Sequence, residues 1–194
     1  MPESRVETVS DKQVILLRRF DRDKTVRIPF LSAMSMLGAK DRDTRSYLEI
    51  VDALRQHGAA AEEDMEQLWR RIVFSILISN TDDHLRNHGF LYAGQSGWRL
   101  SPAYDLNPVP VDVKPRILTT AINEDDGTAS LDLAMSVAEY FELEKAKAKT
   151  IATQVGKAVS TWRDEAAKHG IGKSEIERMA SAFEHEDLKQ AIGT

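Results

Sequence analysis

Met65, Leu68, Trp69, Ile72, Val73, Ile76 and Leu77 recur at three- and four-residue intervals without interruption. A stripe of that length predicts an amphipathic helix over Asp64–Ser79 with one buried face, because a strand would send successive members of the set to opposite sides. The helix delivers the chain directly into a polar loop, Asn80-Thr81-Asp82-Asp83-His84-Leu85-Arg86-Asn87. Beyond that loop, two short apolar runs flank Ala93-Gly94-Gln95-Ser96-Gly97, which predicts a β-hairpin. A core-packed helix is a rigid mount for such a loop, and functional side chains need positioning to about half an ångström.

The loop and hairpin gather two carboxylates and a carboxamide. Asp82 and Asn87 stand five residues apart, and Asp105 follows eighteen residues after Asn87, across the hairpin that folds it back. Such oxygen donors suit a hard cation held together with phosphate oxygens. Protein-kinase sites have this arrangement: an Asp takes the acceptor's hydroxyl proton, an Asn five residues on binds magnesium, and an Asp beyond two short strands binds it too.

Asn80–Asn87, followed by Leu100-Ser101-Pro102-Ala103-Tyr104-Asp105-Leu106, resembles the HipA family, the serine/threonine kinase toxins of bacterial toxin–antitoxin modules. Val14–Arg22, VILLRRFDR, is similar to the strand and adenine-binding hinge of the same family, with Arg18 where the family typically has Glu. The resemblance extends from about residue 14 to about residue 187. It implies a mainly α fold with a small β hairpin, equivalent to the C-terminal lobe of a protein kinase with most of the N-terminal lobe missing. It further implies ATP and Mg2+ as cofactors, with Asp82 as catalytic base and Asn87 and Asp105 as metal ligands. Arg18, Arg19, Phe20, Asp21, His84, Leu85, Arg86, Asn87, Tyr104 and Asp105 are the implied ATP-binding set. The implied acceptor is a protein serine or threonine, as on an aminoacyl-tRNA synthetase. The implied partner is a HipB-like helix-turn-helix antitoxin, through which the complex meets DNA.

A complete member also carries a phosphate-covering loop and a strand lysine ahead of the hinge. Thirteen residues precede Val14, no glycine occurs before Gly38, and Lys12 lies too near the hinge to be that lysine. The expectation is therefore a hinge plus C-terminal lobe: a kinase lobe, one subunit of a split kinase completed by a separate N-lobe protein, or a non-catalytic interaction module. An absent lobe predicts an exposed apolar edge around Val14–Leu17.

Each site residue also has a plainer reading. Asp82 could solvate or cap a turn, and its neighbour Asp83 could be mistaken for it, although the spacing to Asn87 favours Asp82. Phe20 alone could be a core aromatic. His84 and His88 have the spacing of a helical metal pair, but Asn87-His88-Gly89 breaks a helix and no third ligand is well spaced. Arg86 stands where the family often has Lys, exchanging a point donor for a planar fork. Trp69, Trp98 and Trp162 are read as packing residues.

Along the rest of the chain, Val14–Phe20 predicts a strand. Pro29 opens a predicted helix that Gly38 ends. Tyr47, Ile50, Val51 and Leu54 predict another, closed by Gly58. Ser130 predicts the cap of a helix over Leu131–Tyr140, a longer helix carries Ile151 through Trp162, and Ser174 with Glu177 suggests a capping box. Val109–Ile122, with two prolines, predicts an extended loop. With 194 residues, 42% hydrophobic, the chain can bury a sizeable core as one domain. Zero cysteines exclude disulfides and thiolate metal sites, and the formal net charge of −5 argues against general nucleic-acid binding. Lys145, Lys147 and Lys149 read as a solvated helix face. No apolar run reaches the roughly 18 residues needed to cross a bilayer, and no signal peptide is evident, so the expectation is a cytoplasmic protein.

Overall fold

The computed structural model describes residues 3–10 and 12–193. Its centre is α3 (Ala61–Leu77), and all seven residues of the apolar stripe are buried there. Burying each large side chain contributes about 1.5–3 kcal/mol, so this one face is a major source of stability. The helix starts at Ala61, four residues before its stripe, and its first turn carries Glu62, Glu63 and Asp64, which complement the positive end of the helix dipole. Asp64 is buried, and its carboxylate accepts from Arg99 Nε at 2.9 Å and from the Leu100 amide at 2.9 Å. Replacing Asp64 with Ala is expected to destabilise the fold by about 1.5–3 kcal/mol, read as a lower denaturation midpoint, because a buried amide loses a charged acceptor.

The expected hairpin is β6 (Gly89–Tyr92) and β7 (Trp98–Leu100), paired antiparallel with Phe90 opposite Leu100. Gly97 closes its turn at φ 108°, and a Cβ there would meet the carbonyl of His57, so the position favours glycine on both counts. A third strand joins the sheet. The predicted helix after Pro29 is instead β5 (Phe30–Ser32), paired with β6, followed by the four-residue α1 (Ala33–Met36). Ser32 caps that helix by accepting from Ser35 N at 3.2 Å. Pairing with β6 claims the segment that helical periodicity alone assigned to a helix.

Other elements surround α3. α2 (Tyr47–His57) begins at a capping box in which Glu49 accepts from the Ser46 amide, and ends at Gly58. Ser130 caps α4 (Leu131–Ser136), but the helix tightens into a 3-10 turn at Ala138–Phe141 rather than running on. α5 (Lys145–Val159) stops at Ser160, and Trp162 begins a new helix, α6 (Trp162–Lys168). The break lets Trp162 stack on Phe183 at 4.3 Å and 8°. α7 (Lys173–Phe183) is capped by Gly172, whose amide donates to Glu175, and not by Ser174. α8 (Glu186–Ile192) packs against α5, where Gly156 closely approaches Ala191.

Two ribbons precede the sheet in the described residues. β1 (Ser4–Val9) and β2 (Lys12–Leu17) form an antiparallel hairpin, so the strand predicted over Val14–Phe20 leaves its ladder at Leu17. Every residue of both strands is exposed, including Val14, Ile15, Leu16 and Leu17, as an uncovered apolar edge requires. β3 (Arg22–Asp23) and β4 (Val26–Arg27) make a short second ribbon after the hinge residues. Among the described residues, no helix is long and apolar enough to cross a membrane.

Candidate functional site

The polar loop is fixed at both ends by Asn80. Its side chain donates to Ser75 Oγ at 3.2 Å and accepts from the Asn107 amide at 3.3 Å, while the Ser79 carbonyl accepts from Val109 N at 3.2 Å. The entry to the loop and the exit beyond Asp105 are thereby tied to one helix end. Ser79 holds the left-handed backbone that turns the chain out of α3, and its hydroxyl donates to the Ala182 carbonyl at 2.8 Å.

The two aspartates of this loop have opposite environments. Asp82 is exposed. Asp83 is buried, and its carboxylate accepts from the Tyr47 hydroxyl at 2.5 Å and the Thr119 amide at 2.7 Å. Burial pushes the Asp83 carboxyl up to about 6, and the hydrogen bonds from Tyr47, Thr119 and Thr120 pull in the other direction. Its carbonyl also accepts from Thr120 Oγ1 at 2.7 Å. Asp83 is thus a strut joining the loop to α2 and to the 117–121 segment, and Asp82 is left facing solvent.

Asn87 is buried and donates through Nδ2 to the Asp82 carbonyl at 2.9 Å, which turns its Oδ1 away from that bond and leaves it available as an oxygen ligand. Asp105 sits in the left-handed region at φ 55° and accepts from Asn107 Nδ2 at 2.9 Å. The two segments are joined one residue away on each side, where the Tyr104 hydroxyl donates to the Arg86 carbonyl at 2.6 Å, and again where the Ser101 amide donates to the Gly89 carbonyl at 2.8 Å. A carboxamide oxygen and a carboxylate are hard donors that fit magnesium. Among the described residues there is no cluster of three His, Cys, Asp or Glu side chains, so a cation here would depend on phosphate oxygens and water for its remaining ligands. His88 is buried beside Tyr47, with ring centroids 5.1 Å apart, its Nε2 lies 3.1 Å from the Asp83 carbonyl oxygen, and burial lowers its pKa to about 4.

Leu17, Arg18, Arg19, Phe20, Asp21, Phe30 and Tyr104 line a cavity of about 280 Å3. The hinge residues and Tyr104, more than eighty positions apart in sequence, therefore share one space. The Phe20 and Tyr104 rings lie 5.6 Å apart and the Phe30 and Tyr104 rings 6.4 Å apart, giving an apolar wall suited to a flat aromatic ligand. Arg19 grips Asp21 with two hydrogen bonds, at 2.8 and 2.6 Å, and this contact lowers the Asp21 pKa. Phe30 also lines this cavity, and it lies in the segment after Pro29 that periodicity assigns to a helix, so no motif marks it. Its nearness to the hinge was the only signal available.

His84, Leu85 and Arg86 do not line this cavity. Leu85 is buried in the hydrophobic core, while His84 and Arg86 border a separate space and Arg86 pairs with Asp41. Arg71, which no motif marks, supports the site from behind: it is mostly buried, donates to the Ser101 carbonyl, and burial depresses its pKa to about 10.

The profile of the HipA-like C-terminal domain family matches residues 1–162. The chain belongs to that family. Over 117 residues this HipA-like chain is 29% identical to a Haemophilus influenzae protein named "Putative kinase", covering 55% of the chain and 34% of that relative. Over 97 residues it is 35% identical to "Putative kinase Y4dM" of Sinorhizobium fredii, covering 48% of the chain and 23% of the relative. The chain thus spans about a third or less of the curated relatives it matches. In structure it matches a chain from the Shewanella oneidensis MR-1 toxin–antitoxin complex of HipA, HipB and operator DNA, with a TM-score of 0.68 at 18% identity, covering 100% of this chain and 51% of that one. At that identity the likeness shows the shared fold.

Proposed function

We propose that this HipA-like chain is the C-terminal lobe of a serine/threonine protein kinase that binds Mg-ATP and phosphorylates a protein, as the toxin of a toxin–antitoxin system. The observation that carries the reading is the shared cavity of the hinge residues Arg18–Asp21 and Tyr104, one residue from Asp105. Adenine would lie against Phe20 and Tyr104, with the phosphates directed toward Asn87 and Asp105. Bound magnesium supplies charge neutralisation at the transferring phosphoryl group, so positioning does most of the work. Asp82, exposed and separate from the Asp83 strut, accepts the proton of the attacking hydroxyl. A HipB-like antitoxin, with operator DNA met only through it, is the partner by analogy with the Shewanella complex. An aminoacyl-tRNA synthetase is the candidate acceptor class, and the site is a cytoplasmic one in this reading.

A second reading is favoured by the exposed strands β1 and β2, on which Val6, Val9, Val14, Ile15, Leu16 and Leu17 are all uncovered. It makes the chain an interaction module, or a lobe completed by a separate N-lobe subunit that covers this sheet.

Calorimetric titration of Mg-ATP into the chain and its Asp105→Ala variant separates the readings. Micromolar binding that the variant loses is the expected result. No binding by either protein would favour the partner-completed lobe or the interaction module.

A further inference from the structure

The loop Lys40–Arg45, KDRDTR, faces His84 and Arg86 across a cavity of about 400 Å3, which Thr119 and Thr120 also line. Within it each acid already engages a guanidinium: Asp41 pairs with Arg86, and Asp43 pairs with Arg45 at 3.3 Å. Lys40 and Arg42 are exposed, and neither makes an ion pair among the described residues. Lys40, Arg42, Arg45 and Arg86 set against Asp41, Asp43 and Glu49, which pairs with Arg45 at 2.7 Å, give four positive and three negative charges, a local excess of +1 in a chain of formal net charge −5. Two nitrogens of lining residues, Arg45 Nε and His84 Nδ1, are buried without a hydrogen-bond partner. Arg42 also sits at φ 74°, a conformation that a non-glycine residue keeps only where its surroundings over-determine it.

Guanidinium forks match the geometry of carboxylate and phosphate oxygens, and a point ammonium adds charge. The cavity is bordered by His84, Leu85 and Arg86, which follow Asp82 in the same loop. We infer that this cavity is an oxyanion subsite for the polypeptide acceptor, taking a carboxylate or phosphate group carried near the target serine or threonine. The inference rests on the kinase reading and adds a substrate preference to it.

The test is fluorescence anisotropy without nucleotide, using three labelled serine peptides: one flanked by Asp, one by phosphoserine and one by Gln. The chain is expected to bind at least one anionic peptide about tenfold more tightly than the Gln peptide, because complementary charge sets specificity at such surfaces. The Lys40→Glu/Arg42→Glu variant, altered at two exposed side chains, should lose that difference. The Asp and phosphoserine arms identify which oxyanion is preferred. Equal binding of all three peptides, no binding of any, or an undiminished preference in the variant would overturn the inference. So would tighter binding of inorganic phosphate or of an RNA oligomer than of either anionic peptide. Mg-ATP titration of the same two proteins is read separately, so a failure of the nucleotide site is distinguishable from a failure of the subsite.

Discussion

Replacing Asp82 with Ala is expected to lower phosphoryl transfer by about 10²–10⁴-fold while leaving Mg-ATP affinity nearly unchanged, the range typical of losing a positioned general base. The side chain is exposed and makes no hydrogen bond among the described residues, so its removal should not disturb folding. Asn87 would retain its anchor, because it donates to the Asp82 main-chain carbonyl and not to the carboxylate. The measurement is radiolabelled phosphate transfer to protein, with calorimetry on the same preparation. Asp105→Ala should behave in the opposite way and lose nucleotide binding along with transfer. Equal transfer by the wild-type chain and the Asp82 variant would remove Asp82 from the chemistry.

Replacing Tyr47 with Ala should destabilise the fold by about 3–5 kcal/mol, the cost of emptying a fully buried aromatic site. Tyr47→Phe isolates the hydroxyl. That variant leaves the ring in place beside His88 but removes the 2.5 Å donor to Asp83, so a loss of about 1.5–3 kcal/mol is expected at pH 8. The loss should depend on pH with a definite sign. Burial raises the Asp83 carboxyl to about 6 in the folded chain, so the folded state binds this proton more tightly than the unfolded state does. Stability from this group is therefore present at low pH and declines as pH rises from the ordinary carboxylate range through about 6. The Tyr47 hydroxyl favours the charged form and offsets part of that decline. Removing it should raise the Asp83 pKa further and make the deficit larger at pH 8 than at pH 5. Urea denaturation of both proteins at the two pH values measures it, and a deficit independent of pH would mean that Tyr47 contributes packing alone.

The fold was legible wherever one periodicity or one turn dominated. The α3 stripe, the helical spacing of Tyr47, Ile50, Val51 and Leu54 closed at Gly58, the Ser130 cap and the β6–β7 hairpin follow from side chains within a few residues of one another. The segment after Pro29 was misread because its apolar residues satisfy a helical pattern while β6, nearly sixty residues away, offers it a strand partner. The helix through Trp162 was drawn too long for a similar reason: stacking on Phe183 decides where Trp162 goes, and no local signal carries that contact.

The sequence by itself determined the motif set, its spacing and the family, because Asp82, Asn87, Tyr104 and Asp105 are defined by order along the chain. Tertiary structure alone decided which of two adjacent aspartates is exposed, since only the approach of Tyr47 and Thr119 buries Asp83. It also decided that Phe30 joins Phe20 and Tyr104 around one cavity, and that Lys40–Arg45 faces His84 and Arg86 across another. Burial and electrostatic environment depend on atoms brought together from distant positions, whereas spacing and periodicity record only neighbours along the chain.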